Sequence, residues 1–530
     1  MPVRITKDQP SSSGGRGGGG KGPGAGLIIA LLMLVFRYPK VGIPLLIIGG
    51  LAWFYFSSGP SSTASADGPT VVGDYGLGAQ LDREEFNQAL VYEPLVPGAL
   101  PAQVSLLKYS PAPGDQGQQG SCTAWATAYA ARTIQASVET GQKPNDIALS
   151  PAFLYNQLTR GSCGGTSIRK ALDLVRQRGL VELDDFPYDD SDCSTQPGPA
   201  ELQQAQQYRI AGYNRLTLNH DDYAVDINAV KQNLAQGAPV VIGMLVGGSF
   251  YDVRGPGASW RPTRADLQAM EASANGNIVN DGDASQFGGH AMCVVGYDDS
   301  KDGGSFHIQN SWGEQWGDKG TFWMRYADFQ QFTNTLGAEV YGLYPTAPRE
   351  APKDVAFAAQ VGLLNNATQK LIPVTSQGGG LYATGGTLPV GTRFKISVAN
   401  TVPCYTYVFG RDTDATSYVL FPYTEQHSPY CGIVGQRVFP KSESLELDDK
   451  GTTDYMAILI TRKEVDFAAI NRRVSASRAG SYAEQLREGL RGAVTLAEVP
   501  FVGGDAVQFT VPKDNPADAV LVVFGIRKGQ

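Results

Sequence analysis

One cysteine among the six in this 530-residue chain stands where its thiol could be made reactive. Cys122 follows the glycine-containing turns of DQGQQGS (115–121) and opens an apolar run through Ala124, Trp125, Ala128 and Ala131. That pattern predicts a helix whose unpaired N-terminal amides and dipole favour the thiolate, the attacking species. Gln116, six residues upstream, has a side-chain amide able to donate to a developing oxyanion, and the Cys122 backbone N–H can supply a second donor. A lone cysteine at a helix start is ordinarily a small buried hydrophobe. Two later segments argue otherwise here. His290 follows Gly288 and Gly289 and begins the apolar strand AMCVVGYD (291–298), so its ring can stand at the edge of a cleft. Asn310 lies in NSWGEQWGDKGTFWM (310–324), with Trp312 and Trp316 able to shield a side-chain contact from water. A Cys–His pair needs an orienting partner on the far ring nitrogen, and an amide oxygen meets that need. The chemistry of such a set is acyl transfer through a thioester.

These three segments together resemble the papain family of cysteine peptidases. The resemblance implies Cys122 as nucleophile, His290 as base and acid, Asn310 as orienter, Gln116 as oxyanion donor and Trp312 as cover over the His–Asn contact. It implies that Gly164 and Gly165, with Gly289, line the strip that binds an extended polypeptide substrate. It covers about residues 86–346 and implies an α+β fold of two lobes, one helical and one β-barrel-like. Departures exist. Thr123 follows the nucleophile where relatives usually carry Trp, and Gln119 stands where they often place a disulfide cysteine. His290 lies further downstream than the family's roughly 130–150 residues, and the excess falls in the Gly/Asp/Asn-rich stretch 247–287, either a lid or a surface loop. No room exists before residue 86 for a long helical inhibitory propeptide, so latency by that route is not expected.

The elements that must hold these residues are partly legible. TSIRKALDLVRQRG (166–179) has helical apolar spacing and a glycine stop, and SFHIQNSW (305–312) reads as a strand. Beyond the Pro-rich join YPTAPREAPKD (344–354), FKISVAN, YTYVFGRD, SYVLFPY and AVLVVFGI read as short strands. Helical stretches interrupt them, one opening on the capping box Ser481-x-x-Glu484. The expected organisation is a tail (1–26), an anchor region (27–58), a linker (59–85), the peptidase domain (86–346), a linker (347–356) and a mainly-β interaction domain (357–530). That last region has no nucleophile–base pattern and is a candidate for contact with a protein partner.

Composition narrows the function. Four histidines and no CxxC pair argue against metal, and no cofactor is expected. The first 59 residues carry six basic residues against one acid, so the acidity behind the net charge of −8 lies in the remainder, which argues against a nucleic-acid surface. Of two apolar runs, 27–36 is too short to span a bilayer, and 41–58 approaches the roughly twenty residues needed. Basic residues precede it, so the N-terminus is expected in the cytoplasm and the folded part outside. A cleaved signal peptide is the alternative. In an oxidising compartment Cys163 could pair with Cys193 and Cys404 with Cys431, while Cys293 is a buried spectator on its strand. Besides a membrane-anchored peptidase, a silent scaffold and an acyl transferase or transpeptidase stay open.

Overall fold

The computed structural model describes residues 3–7 and 70–529, apart from 73–74, 92, 97, 99, 219–223, 275–286, 336, 345–354, 442, 499–501 and 503. The expected anchor at 41–58, the run 27–36 and most of the linker 347–356 lie outside the described residues. Among the described residues no helix is long and apolar enough to cross a membrane.

The first half of the fold is a helical layer against a sheet. Cys122–Ala124 begins the central helix, which runs on through a π-helical stretch, Trp125–Arg132, into Thr133–Thr140. Every residue from Cys122 to Arg132 is buried. Small residues on all sides let neighbours approach it from every direction, so it carries no polar stripe. Gly141, at φ +73°, ends it. Ile168–Arg178 packs alongside, capped by the Ser167 side chain and stopped at Gly179, φ +85°. Its Ile168, Ala171, Leu172 and Val175 form the buried stripe.

The sheet orders its strands Tyr213–Arg215, Glu339–Leu343, Val240–Val246, Gly288–Asp298, Ser305–Gln309 and Thr321–Arg325, with Gln103–Ser105 paired to Gly288–Asp298. Pairing is antiparallel throughout. The central strand Gly288–Asp298 is buried over most of its length, as its unbroken apolar run requires. Its register with the next strand sets Cys293 opposite Gln309. His290, near the start of one strand, and Asn310, just past the end of the other, therefore meet at one end of the sheet.

The second half is a sandwich. One sheet contains Val355–Asn365, Arg393–Asn400, Gly435–Phe439, Glu443–Leu447 and Val507–Pro512, with Val3–Lys7 paired to Glu443–Leu447. The other is built around Cys404–Arg411, Thr453–Thr461 and Ala519–Gly529. Along Thr453–Thr461, Met456, Ile458 and Ile460 face the core between the sheets. Ala457 and Leu459 face Ile470, Val474 and Leu486 of two covering helices, Phe467–Ala476 and Tyr482–Leu490. That alternation is the period of two that a strand imposes. The second helix opens on the Ser481–Glu484 capping box.

One expected boundary is corrected. Residues 75–85 are not linker: Leu77 and Ala79 are buried in the same cluster as Cys122 and Trp312. Asp82 then caps a short helix, Arg83–Asn87, whose Phe86 is also buried.

Candidate active site

Cys122, His290 and Asn310 come from a helix start, a strand start and a strand end, and the fold brings them together. His290 Nε2 and Asn310 Oδ1 are 2.6 Å apart, both residues being buried. The other ring nitrogen, Nδ1, is buried without a hydrogen-bond partner. The thiol of Cys122 accepts from the backbone amide of Ala291, the residue after His290. Trp312 stacks on the imidazole at 4.6 Å between ring centres, with 28° between planes. Asn310 Oδ1 also accepts from the Ser311 amide at 2.8 Å, which fixes the oxygen, not the NH2 group, toward the ring. Gln116 is fully buried: its Oε1 accepts from Ser311 Oγ at 2.6 Å, which orients Nε2 as a donor.

Electrostatics follow from dehydration. Burial pushes the Cys122 thiol up to about 11, opposed by the amides of Ala291 and Gly78. Burial pushes His290 down to about 4, opposed by the Asn310 contact. Both shifts run toward the neutral forms, because dehydration disfavours either charge.

The cleft is dry because the chain itself fills it. Gly78 and Ala79 donate their amides to Gly289 O at 3.1 and 3.0 Å. Thr166 donates to Gly78 O at 2.8 Å and accepts from Gln80 at 3.0 Å, a parallel pairing of Ala79 with Thr166. The carbonyl of Gly76 receives Gln116 Nε2 at 3.0 Å and Trp312 Nε1 at 3.3 Å. A Cβ on Gly165 would lie 2.6 Å from Gly78 O, and one on Gly78 would collide with Gly120 O. Close backbone approach explains both glycines. The expectation concerned a long helical propeptide, whereas what lies along the strip is a short extended segment. Seven residues, Tyr75–Leu81, occupy the strip without any helical domain.

Sequence reasoning missed several participants. Thr166, not Gly164 or Gly165, makes the strip's backbone pairs; Gly164 O instead accepts from Tyr155 at 3.0 Å. The stretch 247–287 contributes Tyr251 and Arg254. Tyr75 packs against both Trp312, at 4.5 Å, and Tyr251, at 6.1 Å, which also stack on each other at 5.7 Å, and its hydroxyl accepts from Arg254 at 2.6 Å. The only available signal was the aromatic content of that insertion, which carries no periodic pattern. Cys163 and Cys193 are disulfide-bonded, tying the strip to the turn after it. Cys404 and Cys431 sit opposite each other across two strands but remain thiols. The expected bond is not formed: the two thiols contact each other, and Cys431 Sγ also donates to Thr406 Oγ1 at 3.4 Å. Cys293 is buried and unpaired. His307 bonds Thr321 Oγ1 and stacks on Trp323, a structural role. Trp316 belongs to the aromatic cluster around Phe250.

Residues 110–340 match the family model described as "Papain family cysteine protease". A peptidase C1-like protein of Acanthamoeba polyphaga mimivirus is 30% identical over 221 residues, 40% of this chain and 63% of that protein. Cathepsin K of Mus musculus is 27% identical over 239 residues, 44% of this chain and 63% of its own. The match thus spans under two thirds of these relatives. Xylellain, a cysteine protease from Xylella fastidiosa, is a solved structure with 27% identity and a TM-score of 0.40, covering 52% of this chain and 97% of that one. Residues 110–340 of this chain form a papain-family cysteine protease domain.

Proposed function

We propose that the chain is a peptidase hydrolysing polypeptides through a thioester on Cys122. The carrying observation is the His290–Asn310 contact at 2.6 Å, which commits Nε2 and leaves Nδ1 for the thiol proton. Cys122 attacks the substrate carbonyl as His290 takes its proton. Gln116 Nε2 and the Cys122 amide hold the oxyanion. His290 then protonates the leaving amine and afterwards activates the water that cleaves the thioester.

Occupation of the strip by Tyr75–Leu81 supports a latent resting form, because substrate needs the groups this segment now uses. Valine at position 78 collides with Gly120 and should eject it. The test is hydrolysis of an unfolded polypeptide by the full Gly78→Val chain, alone and with Cys122→Ala. Activity in the first and its disappearance in the second are expected. Turnover that survives Cys122→Ala would end the assignment. Products joined to added amines would indicate acyl transfer, and a Gly78→Val chain that neither cleaves nor takes up a thiol-directed epoxide would indicate a silent scaffold.

The apolar run 41–58 and the basic residues before it support a single-pass anchor with the folded part outside the cytoplasm. The Cys163–Cys193 disulfide supports an oxidising compartment. Extraction of the chain from membranes by alkaline carbonate would refute the anchor.

A further inference from the structure

The segment that fills the cleft does not end there. After Leu81 it turns through the helix Arg83–Asn87 and then lies between the peptidase domain and the sandwich. Lys170 pairs with Glu85 at 2.6 Å, Arg215 reaches Asn87 at 2.7 Å and Arg169 reaches Gln88 at 2.7 Å. These contacts leave little slack between the residues paired to the strip and those that follow.

The described residues of 90–96 are then held from both sides, Gln232 of the peptidase domain bonding the Leu95 amide at 2.8 Å and its carbonyl at 3.1 Å. Leu90 O accepts from Arg215 of the peptidase sheet at 3.0 Å, while the Val91 amide donates to Gln426 O of the sandwich at 2.8 Å. Val91 O receives the Ser428 amide at 3.0 Å, and the Val96 amide donates to Gln436 O at 2.7 Å. Arg437, 1% exposed, donates Nε to Glu93 O at 3.0 Å while its Nη1 bonds Asn400 at 2.8 Å and its Nη2 Ile433 O at 2.6 Å. A guanidinium bonded within the sandwich thus presents a donor to the segment. Leu95 sits 2.9 Å from where a Cβ on Gly435 would be. The sandwich makes most of its bonds to the backbone of this stretch, as a clamp must if it is to hold a chain in place.

We propose that the C-terminal sandwich is the clamp of the latch: by holding residues 91–96 it keeps Tyr75–Leu81 in the cleft, so access to Cys122 is set by a region that shares no residue with the active site. This rests on the latent-peptidase reading above. Leu81 and Val91 are joined by one short helix, Arg83–Asn87, and freedom gained at Val91 reaches Gly78 by overcoming the side-chain contacts that this helix and Gln88 make with Lys170, Arg169 and Arg215. Coupling of this kind is reciprocal.

The test uses the full chain and a thiol-directed epoxide, with the rate of Cys122 modification followed by peptide mass. Val91→Pro removes the donor to Gln426 O, and Leu95→Asp opposes packing against Gly435. Gly78→Val serves as the directly opened reference. Each clamp variant should label at least about tenfold faster than the parent, a coupling of roughly 1.4 kcal/mol. Hydrogen exchange should quicken at the amides of Gly78, Ala79 and Gln80 in the same variants. Clamp variants that keep the parent's thermal unfolding and label at the parent rate, while Gly78→Val labels fast, would overturn the clamp and leave the latent peptidase standing. If Gly78→Val itself stays unlabelled, the reading beneath falls and takes the clamp with it.

Discussion

Burial acts on Cys122 and His290 in opposite directions, each toward the uncharged form. A raised thiol and a lowered imidazole are what a dehydrated cleft imposes, and readmitted water relaxes both. In the parent chain the thiolate fraction keeps climbing toward about 11. Modification of Cys122 by neutral iodoacetamide should therefore rise roughly tenfold per pH unit from about pH 7 to about pH 9. Gly78→Val should react faster and with a much flatter profile near neutrality. Equal profiles in the two chains would contradict the dehydration account. Asn310 acts through the ring it holds, so Asn310→Ala in the Gly78→Val background should cut turnover by roughly 10²-fold and shift the acidic limb of the pH–rate profile. A stability loss with the profile unmoved would reduce Asn310 to a structural role. At this scale the grouping of Cys122, Gln116, His290 and Asn310 around one end of the sheet was legible, because their neighbours' types and order are restrictive. Thr166 was not, because its contribution is backbone geometry, which any side chain could supply.

Elements were legible where periodicity is strong. The helix Ile168–Arg178 and the strand Gly288–Asp298 follow directly from their apolar spacing. Tyr75–Leu81 read as linker because its partners, Thr166 and Gly289, are far away in the chain and its glycines leave no pattern. Its hold on the cleft is partly aromatic. Removing the ring in Tyr75→Ala costs the stacks with Trp312 and Tyr251, about 0.5–1.5 kcal/mol. Epoxide labelling of Cys122 should then quicken by roughly two- to tenfold, and an unchanged rate would show that backbone pairing alone sets the population. A second hold titrates. Glu339 accepts from the Asp82 amide at 2.8 Å and from Tyr341 at 3.1 Å. Burial pushes its carboxyl from 4.5 to about 8, and the neighbouring Glu85 and Asp82 carboxylates push the same way. The folded state thus holds a proton that the unfolded chain releases at lower pH. The associated stability is complete below 4.5 and is lost as pH rises through about 8. Thermal unfolding of Glu339→Gln should lack this decline between pH 4.5 and about 8, whereas a decline identical to the parent's would assign it to other groups.

Within the described residues, the sandwich and the peptidase domain are joined by more than the gripped segment. Gln236 exchanges two 2.8 Å hydrogen bonds with Val434, Lys441 pairs with Asp226 at 2.6 Å, and Tyr344 stacks on Tyr430 at 4.1 Å. None of this was legible beforehand, since a docking face made of isolated polar contacts has no periodic trace. The integrity of the sandwich should accordingly govern the latch, and one buried charge cluster offers a handle on it. Lys528 lies 2.9 Å from Asp448 and 2.8 Å from Asp454, all three side chains at most 3% exposed. Burial pushes Asp454 up to about 6 against the pull of Lys528, so the ammonium is what makes two carboxylates tolerable there. Lys528→Met strands both and should lower stability by about 3–5 kcal/mol, whereas replacing all three residues by neutral ones of similar size should recover most of that loss. The two regions then make a joint prediction for a temperature ramp. If the sandwich holds the latch, Lys528→Met brings forward both the unfolding of the sandwich and the labelling of Cys122, and the neutral triple variant returns both together. A Lys528→Met chain whose sandwich melts early while Cys122 stays protected until the peptidase domain unfolds would mean that the cleft is closed by local contacts alone.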